Sequence, residues 1–110
     1  MPRRPLSLST VTVLQALASG YAYGFDVMDT TGLPSGTVYP ILGRLERAGF
    51  IRANWEDAVA AREEKRPPRR YYAVTPTGVA VLEEMLERYR ALATRPATMD
   101  GTTNTEGANG

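Results

Sequence analysis

The stretch GLPSGTVYPILGRLERAG, residues 32–49, decides the fold. Gly32 supplies a left-handed residue at which a preceding helix can stop, and the Leu-Pro pair after it enforces a turn. Ser35 is a favourable N-cap for the next helix, which Gly49 ends, and Pro40 should bend its first turn only slightly. The apolar residues of this helix recur at i, i+3, i+4 and i+7: Val38, Ile41, Leu42 and Leu45. The stretch therefore predicts a tight turn between two helices, the second with one buried face.

Two further helices are predicted before this one. The first covers Leu8–Ala18, with Ser7 or Ser9 as N-cap, and the second covers about Tyr23–Thr31. In the first helix, apolar residues recur at helical spacing and are expected to be buried: Val11, Leu14, Leu17 and Ala18. The second is expected to bury Phe25 and Met28.

A hairpin and a final helix are predicted after it. Phe50–Trp55 and Arg70–Thr75 are short runs rich in aromatic and β-branched residues, separated by a long polar tip. Thr75 is a good N-cap and Pro76 a good first residue for a helix reaching about Thr94. That helix carries an apolar stripe: Leu82, Met85, Leu86, Tyr89 and Leu92.

The predicted fold is mainly α with a small β-hairpin, in the order of a winged helix-turn-helix followed by a C-terminal helix. We assign residues 1–75 to a winged helix-turn-helix DNA-binding domain and residues 76–95 to a C-terminal dimerisation helix. Residues 96–110 contain too few apolar side chains to repay the entropy of ordering, so a disordered tail is expected there.

Composition excludes most catalytic chemistry. The chain has no Cys and no His, so it lacks a thiolate nucleophile, an imidazole base and the usual zinc ligands. The adjacent pairs Glu63-Glu64 and Glu83-Glu84 point in different directions on a helix. No enzyme activity, cofactor or metal is therefore expected. At 110 residues there is room for one domain, and with no apparent signal peptide or membrane span a cytoplasmic location is expected, away from the membrane.

The outward face of the third predicted helix suits double-stranded DNA. Small residues in its middle would let the backbone approach base edges, while Arg44 and Arg47 reach a phosphate or a guanine and Tyr39 donates to phosphate. The helix N-terminus offers exposed amides at Ser35, Gly36 and Thr37, which form an anion site. The alternative is that this face is solvated surface.

The formal charge of +1 is unevenly distributed. From Arg62 to Arg70 there are five basic residues against two acidic ones. We predict phosphate contacts by some of the four cations at the hairpin tip: Lys65, Arg66, Arg69 and Arg70. A solvated loop without a partner is the simpler alternative.

Several motifs together closely resemble the PadR family of bacterial transcriptional regulators. They are YGFDV (23–27), GLPSGTVYPIL (32–42), RLE (44–46), GFI (49–51), WE (55–56), PRRYY (68–72) and VTPTG (74–78). The resemblance covers about Leu8 to Leu92, and the combination is far more specific than any single motif.

The resemblance implies a homodimeric repressor that binds a palindromic operator and is released by a small molecule. Founding members of the family respond to phenolic acids, and others to hydrophobic drugs. The DNA-reading role falls on Ser35, Gly36, Thr37 and Tyr39, wing contacts precede Tyr71, and Tyr23 is placed to touch a phosphate. The single C-terminal helix is similar to the smaller subtype of the family.

The apolar stripe on the last helix is expected to pack partly against a partner chain, although it could instead close the core of one protomer. An effector pocket is expected between the two last helices and the first helix, near Leu14, Met85 and Tyr89, although these residues could simply fill the core. The alternative function is a winged-helix protein-interaction module, which would present a neutral or hydrophobic third helix.

Overall fold

The structure, a computed structural model, describes residues 5–94, which form five helices and one antiparallel pair of strands. In chain order these are α1 (Leu8–Ala18), α2 (Gly24–Thr31), α3 (Ser35–Arg47), β1 (Ile51–Trp55), α4 (Ala58–Glu63), β2 (Arg70–Val74) and α5 (Pro76–Ala93). The mainly α fold with a small hairpin is confirmed. The predicted tail 96–110 lies outside the described residues.

Local caps account for most helix boundaries. The Ser7 hydroxyl accepts from the Thr10 amide at the start of α1, and the Thr75 hydroxyl accepts from the Gly78 amide at the start of α5. The prediction of Ser35 as an N-cap is wrong. Pro34 is the cap of α3, because its extended backbone directs its carbonyl at the Thr37 and Val38 amides, and Ser35 is already helical.

The core lies where α1, α3 and α5 meet. The predicted apolar face of α3 is fully buried. In α1, which contacts α2, α3, β2 and α5, burial centres on Val13, Leu14 and Leu17, and the prediction for Ala18 is wrong because the last residue of the helix is exposed. The prediction for Phe25 is also wrong: its side chain is 45% exposed, and Val27 enters the core in its place.

The strands β1 and β2 pair from Ile51 opposite Val74 to Trp55 opposite Arg70. The segment before α2 joins this pair, because the Tyr72 amide donates to the Ala22 carbonyl at 2.8 Å. We call β1, β2 and the connecting residues 56–69 the wing. The long polar tip predicted between the strands contains a short helix that was not predicted, α4, capped by the Asp57 carboxylate.

No helix among residues 5–94 is long and apolar enough to span a membrane.

The first turn of α5 is packed directly on the residue that precedes β1. A Cβ atom placed on Gly78 would lie 1.9 Å from the Phe50 carbonyl oxygen, and the Thr75 amide donates to that same oxygen at 3.0 Å. Glycine at this position therefore sets how closely α5 approaches the wing.

We expect Gly78→Ala to lower the free energy of unfolding by about 2–3 kcal/mol, because backbone atoms of Phe50 would have to move. Urea unfolding followed by circular dichroism measures this. The matched control is Gly43→Ala, where the new methyl would meet only the flexible Arg47 side chain at 3.4 Å. Equal stability of wild type and Gly78→Ala would contradict the packing described here.

Candidate nucleic-acid interface

The outward face of α3, the start of α2 and the wing form one continuous surface. Between them lies a cleft of about 240 Å³. Its walls are aromatic and basic: Tyr23, Gly24, Phe25, Tyr39, Arg69, Arg70 and Tyr72. The fold thus brings together four of the residues predicted from sequence, which lie in three separate parts of the chain.

The N-terminus of α3 is open to solvent. Ser35 and Gly36 are exposed, and their amides precede the first hydrogen bond of the helix. The Thr37 amide differs from the prediction, because it donates to the Pro34 carbonyl at 2.9 Å. Two of the three predicted amide donors are therefore available to an anion.

The two arginines on α3 are free to bind an anion. Arg44 and Arg47 are exposed, and within residues 5–94 neither guanidinium lies within ion-pair distance of a carboxylate. Gly36 and Pro40, which precede these arginines on the same side of the helix, are exposed and short, so the backbone forms the floor of this face. The helix can approach a flat or grooved partner closely, with positive charge along its side.

Two wing cations differ in their surroundings. The Arg70 guanidinium donates to the Glu46 carboxylate of α3 at 3.1 Å and lies 5.8 Å from the Trp55 ring centroid. The Arg69 guanidinium lies 5.0 Å from the Phe25 ring centroid and has no carboxylate partner within the described part of the chain. Arg69 is therefore the freer cation, whereas Arg70 also ties the wing to α3.

The other two predicted tip cations also differ. Lys65 is exposed just after α4, with a left-handed backbone (φ 59°). Arg66 is partly buried and donates twice to the Glu56 carboxylate, at 2.5 and 3.1 Å. Lys65 is therefore accessible to a ligand, whereas the Arg66 charge is already paired with Glu56 within the protein.

Glu56 is a site residue whose role was not predicted from the sequence. Its carboxylate accepts from the Tyr23 hydroxyl at 2.9 Å and from the Arg69 amide at 2.9 Å, in addition to Arg66. The hydrogen bonds from Arg66 and from the Arg69 amide lower the pKa of Glu56 to about 2. The same contact with Glu56 raises the pKa of Tyr23, whose hydroxyl proton is therefore directed at Glu56 and away from solvent.

The stripe on α5 divides into two groups. Leu82 and Met85 are buried within the single chain, so these two close its core, as in the simpler alternative. Leu86 and Tyr89 are partly buried against that core, and Leu92 is 57% exposed. Of the predicted dimerisation residues, only the last three present surface to a second chain.

The expected effector cleft beside α1 is filled within one protomer. Leu14 and Met85 are fully buried. The Leu6 amide donates to the Met85 sulfur at 3.4 Å, and the Tyr89 hydroxyl donates to the Leu6 carbonyl at 2.7 Å. The segment before α1 therefore occupies the space between α1 and α5.

Within residues 5–94, no three acidic side chains are grouped so that they could hold a metal ion.

The family of this chain is shown by a sequence model of that family. The sequence model described as the transcriptional regulator PadR-like family matches residues 13–84, more than half of the chain. A comparison with curated proteins gives no significant match.

Solved structures with a similar fold include PadR-like regulators. A PadR-like transcription factor from Bacteroides fragilis is 25% identical, with a TM-score of 0.66 over 76% of this chain and 82% of that one. A PadR family regulator from Clostridium difficile is 20% identical, with a TM-score of 0.72 over 86% and 100% of the two chains. Bordetella bronchiseptica BpsR, whose DNA binding is regulated by 6-hydroxynicotinic acid, is 24% identical, with a TM-score of 0.68 over 94% and 72%. The last two show the fold alone.

We expect Gly24→Ala to displace Tyr39 without unfolding the domain. A Cβ atom on Gly24 would lie 2.6 Å from the Tyr39 ring and hydroxyl, and the exposed Tyr39 side chain can rotate away. Nuclear Overhauser contacts between the Tyr39 ring and residue 24 should be lost while the free energy of unfolding changes by less than about 1 kcal/mol. Gly36→Ala, which has open space around the added methyl, is the control. An unmoved ring would contradict this packing.

Proposed function

This chain belongs to the PadR-like family of transcriptional regulators, which are DNA-binding proteins and not enzymes, and we propose that it is a homodimeric repressor of a palindromic DNA operator. In this proposal α3 enters the major groove and the wing lies along the neighbouring phosphates. The protein acts in the bacterial cytoplasm.

The observation that carries the proposal is the set of uncompensated guanidinium groups around the small-residue face of α3. Arg44, Arg47 and Arg69 have no carboxylate partner within residues 5–94. A protein-interaction surface would have little use for three unpaired cations, whereas a polyanion compensates them and releases its counterions. This charge arrangement favours DNA over the alternative of a docking module.

Each exposed group has a role in the proposed complex. The amides of Ser35 and Gly36 bind a phosphate at the positive end of the α3 dipole, with the Thr37 and Tyr39 hydroxyls beside them. Arg44 and Arg47 contact phosphates or guanine edges further along the groove. Arg69 and Lys65 contact the backbone from the wing, and Arg70 does so if it leaves Glu46.

The proposed dimer uses the exposed side of α5. Leu92 is an exposed apolar residue on this helix, and Leu86 and Tyr89 are only partly covered. A shallow groove of about 550 Å³ runs along the same helix near Ala91. A second copy packed here would place two α3 helices on half-sites about one helical turn apart.

Release by a small hydrophobic or aromatic effector completes the proposal. Support comes from the structural neighbour BpsR, whose DNA binding responds to 6-hydroxynicotinic acid. Because Leu6 fills the space between α1 and α5 in one protomer, an effector would bind between two copies or displace this segment.

Binding to duplex DNA should depend steeply on salt and require the α3 arginines. In a fluorescence titration of the upstream region of its own gene, Arg44→Ala should weaken binding by about 1–3 kcal/mol, and a variant without Lys65 and Arg69 should weaken binding to all sequences and flatten the salt dependence. The control is Arg90→Ala on α5, far along the chain from α3 and engaged with Glu87. Salt-independent binding, or none, would favour the docking module.

Leu92→Glu should shift the protein from dimer to monomer, because it places a charge in an apolar contact. Sedimentation equilibrium measures the mass directly. The control Val59→Glu changes an equally exposed apolar residue on α4, and it should leave the mass unchanged. A dimer that survives Leu92→Glu would place the contact elsewhere.

A further inference from the structure

A single carboxylate holds the wing against α2 in the middle of a basic surface. The Glu56 side chain is only 15% exposed, and its two oxygens accept four hydrogen bonds from Tyr23, Arg66 and Arg69. We call these four residues the Glu56 cluster. Its members come from the start of α2, the end of β1, the loop after α4 and the residue before β2.

The cluster also closes the base of the long connection in the wing. The Glu56 amide donates to the Arg69 carbonyl at 2.9 Å, while the Arg69 amide donates to the Glu56 carboxylate at 2.9 Å. Residues 57–68 thereby form a closed loop, because the two residues that flank it, Glu56 and Arg69, are hydrogen-bonded to each other. Arg66 reaches back from within that loop to the same carboxylate.

The position of Arg69 depends on this closure. Both the backbone amide and the backbone carbonyl of Arg69 are hydrogen-bonded to Glu56, and its guanidinium lies over the Phe25 ring of α2. The cleft that Arg69 lines also contains Tyr39 of α3. A wing released from α2 would therefore carry Arg69 away from the outward face of α3.

We propose that Glu56 is a positioning residue for DNA binding, which holds the wing against α2 so that Arg69 stays beside α3. This inference rests on the proposed function and adds to it a residue that does not itself touch DNA. It also assigns Arg66 and Tyr23 to the interior of the cluster in place of the direct phosphate contacts expected from the sequence.

The direction in which DNA affinity changes when the Glu56 charge is removed distinguishes a positioning role from simple electrostatics. A carboxylate close to a polyanion opposes binding, so removing its charge should strengthen binding if charge alone matters. If Glu56 positions the wing, the same removal should weaken binding. The two accounts predict opposite changes in the dissociation constant of one complex.

The first test compares Glu56→Gln with Glu46→Gln in the full chain, using the duplex and salt titration described above. Both variants remove one negative charge from the same surface. Glu56→Gln should weaken binding about tenfold and reduce the salt slope by roughly one phosphate contact. Glu46→Gln frees Arg70 from its ion pair and should leave binding unchanged or make it tighter. Tighter binding by Glu56→Gln would overturn the inference.

The second test uses Arg66→Met, which keeps the length of the side chain and removes its charge. If Arg66 acts through Glu56, Arg66→Met should weaken binding about as much as Glu56→Gln, and the double variant should be no weaker than either single one. If Arg66 instead contacts DNA directly, the losses would be additive or the two single variants would have opposite signs. Either of those results would overturn the inference.

Thermal unfolding followed by circular dichroism establishes that each variant is folded at the assay temperature. If Glu56→Gln does not fold, Glu56→Asp takes its place, because it keeps the charge but is too short to reach all four donors. It should bind more weakly than wild type, and wild-type affinity would overturn the inference. Wild-type protein without salt-dependent DNA binding would overturn the proposed function itself, which is a separate outcome.

Discussion

Burial of one face of α3 is the constraint from which the rest of the molecule follows. The helix has four apolar side chains on one side, and all four enter the hydrophobic core to which α1 and α5 also contribute. Rotating the helix would expose these residues to water, at about 1.5–3 kcal/mol for each side chain. The opposite face, with Tyr39, Arg44 and Arg47, is therefore held toward solvent. The same packing that stabilises the domain also selects the surface that we propose binds DNA.

The wing is set relative to this helix by two contacts of different kinds. At one end, Gly78 lets α5 lie directly on the Phe50 backbone, so the start of β1 has little freedom. At the other end, Glu56 gathers donors from α2 and from the loop after α4. Between them, the Glu46–Arg70 ion pair links β2 to α3, but both partners are exposed and such pairs contribute little to stability. The orientation of the wing therefore depends on close packing and on a partly buried hydrogen-bonded carboxylate.

Features with a local cause were predictable from the sequence, and features with a distant cause were not. The α3 stripe, the Ser7 and Thr75 caps and the hairpin follow from spacing and capping chemistry within a few residues. The role of Glu56 has no local signal in the sequence, because its partners lie up to 33 positions away. The short α4 was missed because six residues between polar segments show no clear period. Whether the α5 stripe faces its own core or a partner depends on which part of α5 the other helices leave uncovered. The periodicity of the stripe alone does not give this information.

Amide hydrogen exchange of the protein with and without its operator duplex is the most direct test of the account. On DNA binding, exchange should slow at residues 35–47 and in the wing around residues 65–70, with α5 unchanged. Slowing confined to α5, with α3 and the wing exchanging as in the free protein, would contradict the assignment of the α3 face as the DNA-binding surface.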